Sequence, residues 1–209
     1  KASRTLAAEK IIKDIREIPS PVGTLIGGAA ADFTDSQNGI ARTLPLALGW
    51  IAFWVMILIF IFTGSIILPI KAVLLNGLSL IATLGAITWV FIDGNLKWLV
   101  GDFTVTGALD TGTVILVAVV VFGLSMDYEL FLLSRIREEH LEGRSNVESV
   151  ATGLQRSARI ITAAAVLLAV VFAAFVTSGV TSIKTMGFGV ALAVLLDATL
   201  IRALLVPAL

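Results

Sequence analysis

The chain has 209 residues, of which 57% are hydrophobic and 14% charged, with a mean hydropathy of +0.99; soluble domains hold roughly 45–50% apolar and about 25% charged residues. The excess excludes an ordinary soluble globule, and because it is gathered into five long runs it points to a bilayer. Fifteen basic residues balance fifteen acidic ones, which leaves no electrostatic footprint for nucleic acid, and the lack of cysteine excludes disulfides, thiolate catalysis and cysteine-held metals. The sequence starts at Lys1 without Met and stops at Leu209 inside an apolar run, which reads as a piece of a longer protein.

Residues 3–18 place Leu6, Ile11, Ile12, Ile15 and Ile18 near one face at helical spacing, with Lys10, Lys13, Asp14 and Glu17 elsewhere, and Pro19 and Pro21 end the pattern. An amphipathic, water-exposed helix is expected there. Residues 22–26, partly β-branched and closed by Gly27 and Gly28, suit a short strand. Helix followed by strand is expected to be the edge of an α/β domain outside the bilayer. Asp32 or Thr34 then offers a cap for a further helix, which Pro45 is expected to bend at the membrane border.

The remainder, residues 45–209, divides into five spans of about the length a bilayer core requires, at residues 44–62, 68–92, 113–133, 158–176 and 186–209. Trp50 and Trp54 stand at the start of the first, and only residues 63–65 separate it from the second, which makes the two antiparallel neighbours. Trp89 and Trp98 border the polar loop 93–110. The loop at 134–159 carries Arg135, Arg137, Arg144, Arg156 and Arg159, whereas loop 93–110 holds only Lys97 and the last link only Lys184. The excess of positive charge predicts a cytoplasmic position for 134–159, with residues 1–44 outside the cytoplasm. Ser145 followed by Glu148 three residues on has the spacing of a capping box, which starts a helix leading into the fourth span.

Among the ionisable residues Asp127 stands apart. It precedes Arg135, at the expected cytoplasmic border, by eight residues, or roughly 12 Å of helix, which brings it near the middle of a hydrocarbon core about 30 Å thick. A carboxylate there costs a few kcal/mol or more if ionised and unpaired, so such groups face a bundle interior and mark ion or proton paths. Tyr128, the only tyrosine, adjoins it with a phenol able to donate to a carboxylate. Secondary polar sites are Glu129, which points to another face and is expected to meet Arg135 or a neighbouring helix, and Asp197 with Arg202 in the last span. Arg202 lies 18 residues from Lys184, roughly 27 Å along a helix, so the two are expected to mark opposite borders. The five-residue spacing of Asp197 and Arg202 puts them on different faces of a regular helix. Asn76, Ser79 and Thr83 read as interhelical hydrogen-bonding groups. His140, the sole histidine, sits among charged residues as a solvated surface group, and no nucleophile–base pair, metal cluster or phosphate loop accompanies it.

The run Gly123-Leu124-Ser125-Met126-Asp127-Tyr128-Glu129-Leu130, continued to Glu139, resembles the MmpL family of the RND transporter superfamily. Residues 196–208, 65–72 and 88–94 are similar to further motifs of that family, so the resemblance covers nearly the whole chain. It implies a twelve-helix bundle built from two repeats, each with an α/β porter domain inserted after its first helix. On that resemblance, residues 1–44 are the end of the second porter domain with a linker helix, and the five spans are helices eight to twelve. Asp127 and Tyr128 would carry a proton relay opposite a matching pair on helix four, which lies in the N-terminal half of the same transporter. The implied function is proton-driven export of lipids or lipid-like amphiphiles across the cytoplasmic membrane, in the actinobacterial cell envelope. The proton gradient would stand in place of a cofactor, and assembly into an oligomer is compatible with it. An intramembrane enzyme is not expected. The competing reading is a non-transporting relative that senses or scaffolds lipid, in which Asp127 is purely structural.

Overall fold

The computed structural model describes residues 6–19, 25–103, 105 and 109–205. Its helices are α1 (Leu6–Arg16), α2 (Ala29–Thr63), α3 (Ile67–Phe91), α4 (Lys97–Val100), α5 (Thr111–Leu141), α6 (Asn146–Phe175) and α7 (Thr181–Leu196), the last continued by a π-helical segment, Asp197–Leu205. There is no strand among the described residues. Five of the helices are long and apolar enough to cross a membrane, as expected of a chain whose backbone groups find no water in a bilayer and must bond within their own segment. This is an α-helical, multi-pass membrane protein fold.

Several local expectations change once the helices are seen. The strand expected at 22–26 rests on residues 22–24, which lie outside the described residues, and Leu25 and Ile26 have no regular structure. Neither Asp32 nor Thr34 caps α2. The helix begins a turn earlier behind Gly28, whose φ of 112° turns the chain into it, and Thr34 instead donates its hydroxyl to the Ala30 carbonyl at 2.9 Å. Pro45 lies inside α2 without ending it. Residues 134–157, expected as a polar loop, are mostly helical: α5 runs on to Leu141, and Ser145 and Glu148 form both halves of a capping box that starts α6. The charged residues there gain pairs at helical spacing, such as Arg135 with Glu138 at 2.7 Å, which lets the helices project past the apolar core.

Burial rises from 6% of the apolar stretch of α2 to 44% of that in Thr181–Arg202, so α7 is the centre of the bundle and α2 its outer member. Small residues set this order, because apolar side chains gain little by leaving lipid and helices associate where backbones can approach. On α6 the buried positions Ser149, Gly153, Ser157, Ile161, Ala165 and Ala169 recur every fourth residue. On α7, Gly187 and Gly189 point to different neighbours. A methyl on Gly187 would lie 2.6 Å from the Phe172 carbonyl oxygen of α6, and one on Gly189 would lie 2.5 Å from Ile87 of α3. Val190, Ala193 and Val194 fill the space between, against Ile87 and Val90 of α3 and Val117 and Val121 of α5.

Both ends of the bundle are tied by charge. At the arginine-rich end, Glu139 is 2% exposed and contacts Arg144 and Arg156, while Arg137 donates to the Phe62 carbonyl in the last turn of α2. At the other end Lys184 is buried rather than free in a link: its Nζ donates to the carbonyls of Val100 and Asp102, 3.0 Å each, and fastens the α3–α5 connection to the first turn of α7. Outside the bundle, α1 is held to α2 by Arg16, which grips Asp35 through two hydrogen bonds of 2.5 and 2.8 Å.

Gly187→Ala is therefore expected to lower stability by about 1–3 kcal/mol through overpacking against backbone that cannot yield. Gly85→Ala, where a methyl meets nothing within 4 Å, is expected to leave stability unchanged or raised. Thermal unfolding of the two purified variants beside the parent checks the contrast.

Candidate functional site

The polar residues of the spans converge where α3, α5 and the end of α7 meet. On α3 the buried face runs through Ala72, Asn76, Ser79, Thr83, Ile87 and Val90, spaced by three or four residues, so the three polar groups share one stripe that faces the bundle. They do not behave alike. Asn76 reaches across to α5, donating to Glu129 Oε2 at 3.0 Å and to its own helix at the Ala72 carbonyl, 3.1 Å. Thr83 satisfies itself on the Ser79 carbonyl at 2.8 Å, and Ser79 Oγ is buried without a partner among the described residues.

Asp197 and Arg202 form a direct pair, Nε to Oδ2 at 2.7 Å, with both side chains buried. That corrects the expectation of separate faces. In an α-helix a residue five positions on is turned by about 140° from the first, but residues 197–205 wind as a π-helix, whose wider turn brings i and i+5 together. The second oxygen of the carboxylate, Oδ1, accepts from Ser125 Oγ of α5 at 2.7 Å. Arg202 Nη2 in turn donates to the Ser125 carbonyl at 2.6 Å. The guanidinium also lies 5.1 Å from the centre of the Tyr128 ring, within reach of a cation–π contact. Ser125 thus holds both members of the pair, a role the sequence reading missed although the residue stands two places before Asp127. A small hydroxyl one helical turn before Glu129 was the available signal.

Removing two charges from water costs several kcal/mol per ion, and a buried pair recovers that only when its remaining lone pairs and protons are also bonded. Both oxygens of Asp197 are bonded here, as are two of the three guanidinium nitrogens of Arg202, while Nη1 has no partner among the described residues.

Asp127 is placed differently. It is exposed on a face of α5 that also presents Leu116, Val119 and Gly123, outside the packing of the five helices, and makes no hydrogen bond or ion pair among the described residues. Its neighbour Tyr128 is half-buried toward Arg202. Glu129, two positions on, turns to α3 rather than to Arg135, which pairs with Glu138 instead. The three carboxylates of the spans are therefore held in three ways: in an ion pair, on an amide, and on a bare helix face. His140 is exposed, and no cluster of histidine or carboxylates able to hold a metal occurs among the described residues.

The chain matches the MMPL family model over residues 1–209. It is 43% identical over 97% of its length to a putative membrane protein, SCO6666, of Streptomyces coelicolor, of which it covers 28%. It is 42% identical over 96% of its length to the trehalose monomycolate exporter MmpL3 of Mycobacterium tuberculosis, covering 21% of that protein. With the mycolic acid-containing lipids exporter MmpL11 of Mycolicibacterium smegmatis it shares 37% identity over 98% of its own length and 22% of the relative. The chain thus spans less than a third of the length of the curated relatives it matches.

Arg202→Met leaves Asp197 buried without its counter-charge and is expected to cost about 3–5 kcal/mol, whereas Arg202→Met with Asp197→Leu recovers most of that loss. Unfolding of the single and double variants in the same detergent checks this. A single variant as stable as the double would show that the pair carries no such energy.

Proposed function

The chain belongs to the MMPL family, within the RND transporter superfamily, and from that premise we propose that it is the C-terminal part of an exporter of lipids or lipid-like amphiphiles across the cytoplasmic membrane, driven by proton antiport. Two relatives named as exporters of trehalose monomycolate and of mycolic acid-containing lipids support the lipid substrate. Residues 1–44 are the end of an extracytoplasmic porter domain with its linker helix, and residues 134–159 lie in the cytoplasm, in keeping with the arginine excess there.

The observation that carries the reading is the exposed Asp127 on an otherwise apolar and glycine-bearing face of α5. A lone carboxylate facing lipid is costly, and such a face is suited to the other half of the transporter, whose helices would cover it. Gly123, with nothing within 4 Å of where a methyl would stand, permits close approach. Asp127 takes up and releases the proton. Protonation removes its charge and changes the cost of burying it against the opposing helices, which is the difference in free energy an alternating bundle requires. Tyr128 is the relay group, its ring held beside the Arg202 guanidinium while its hydroxyl serves as donor or acceptor. Asp197 and Arg202 neutralise each other and fix the position of that ring. The gradient supplies energy in kind: one charge crossing 100 mV is worth about 2.3 kcal/mol, with the pH difference added.

In the full-length protein, Asp127→Asn is expected to abolish export of lipid from cells or proteoliposomes while expression and melting temperature stay at the parent's values. Undiminished export by the variant would refute proton coupling through Asp127. A variant that melts at markedly lower temperature would favour a structural role in a non-transporting lipid-sensing or scaffolding protein.

A further inference from the structure

A second carboxyl lies close to the ion pair and takes no part in the relay described above. Glu129 lines a cavity of about 60 Å³ between α3, α5 and the π-helical segment, together with Lys71, Asn76, Ser125, Asp197 and Arg202. Water needs roughly 10–15 Å³ of such space and two to four polar partners, and genuinely empty cavities are apolar. This one meets both conditions. Arg202, 4% exposed, is one of the groups that line it. On the Tyr128 side of the same ion pair the space is about 10 Å³ and is lined by Val121, Leu124, Ala193 and Val194 beside Ser125, Tyr128 and Asp197. That is no more than the minimum for one water, so the two sides of the pair differ in their capacity for solvent.

From this geometry we infer that the cavity is a water-binding site among Asn76, Ser125, Glu129 and Arg202, and that through its water Glu129 is a second proton-exchanging carboxyl, distinct from Asp127. The chemistry balances simply: the O–H bond of the Glu129 carboxyl breaks as its proton joins the cavity water, that water releases one of its protons to bulk solvent, and the carboxylate left behind keeps the Asn76 amide. The charged groups that line the cavity are Lys71 from α3, Glu129 from α5 and the Asp197–Arg202 pair from the π-helical segment; α2 and α6 contribute none. Of the two acids beside Arg202, Asp197 has both oxygens bonded within the protein, whereas Glu129 Oε1 has no partner among the described residues. Glu129 is therefore the acid with an oxygen free for water. The site does not depend on what the protein exports.

Infrared spectroscopy of the full-length protein in lipid nanodiscs, over a pH series and on transfer from H₂O to D₂O, tests it. A carboxyl band that titrates and exchanges with deuterium is expected, lost in Glu129→Gln and retained in Asp127→Asn. Glu129→Gln keeps an oxygen to accept from Asn76, and its melting temperature shows that it folds. A second variant, Leu75→Phe, fills the cavity while leaving Glu129 in place, and is expected to keep the band but slow its exchange. The inference is overturned if the Glu129→Gln spectrum equals the parent's, if no carboxyl band titrates and exchanges at any pH, or if exchange in Leu75→Phe proceeds at the parent's rate. Export by Asp127→Asn, by contrast, bears only on the relay through Asp127.

Discussion

A charge inside a bilayer must be matched there or not carried at all, and the Asp197–Arg202 pair shows what that demand does to a helix. Five residues apart, the two groups would diverge on regular α-helical winding. The segment adopts the wider π turn instead, and the guanidinium meets the carboxylate at 2.7 Å. The turn alone would leave the pair half satisfied. Ser125 completes it from α5, with its hydroxyl on the acid and its carbonyl on the base, so the same contact that neutralises the charges also fixes α5 against the end of α7. Close packing at Gly187 and Gly189 holds α7 between α6 and α3, and the polar contact is thereby set at a defined place in the bundle.

Around that pair the other charged groups are arranged by how much solvent each can reach. Glu139 at the arginine-rich end is buried but flanked by two arginines, and Lys184 at the opposite end spends its protons on two carbonyls. Both are mechanical ties between a connection and a helix. Glu129 sits between these extremes, held by an amide beside a cavity large enough for water. Asp127 is exposed and has no partner among the described residues. One ion pair, one amide-held acid and one bare acid thus lie on or face a short stretch of α5.

Much of this was legible in the residues before any coordinates. The five apolar runs announce helices because backbone in lipid has no other solution, and Ser145 with Glu148 announces the start of α6 because the capping box needs just that spacing. Glu129 turning away from Asp127 follows from helical period. What failed did so for identifiable reasons. A regular 3.6-residue turn was assumed for Asp197 and Arg202, and local sequence gives no notice of a π-helical segment, which is induced by the pairing it permits. Charged residues at 134–141 suggested a loop, yet helix continues there because their charges pair along it. Asp32 and Thr34 had cap chemistry, but Gly28 turns the chain a helical turn earlier. Asp127 was expected among the helices, since depth can be counted from sequence, whereas the face on which a residue lies depends on which helices are its neighbours.

The π-helical segment that joins Asp197 to Arg202 holds this arrangement together. The most direct measurement is an experimental structure of the full-length protein in lipid, at a resolution that fixes backbone hydrogen bonds and side chains over residues 197–205. The predicted result is i→i+5 winding with the Arg202 guanidinium on the Asp197 carboxylate and both on Ser125. A regular α-helix there, with the two side chains on separate faces, would contradict it.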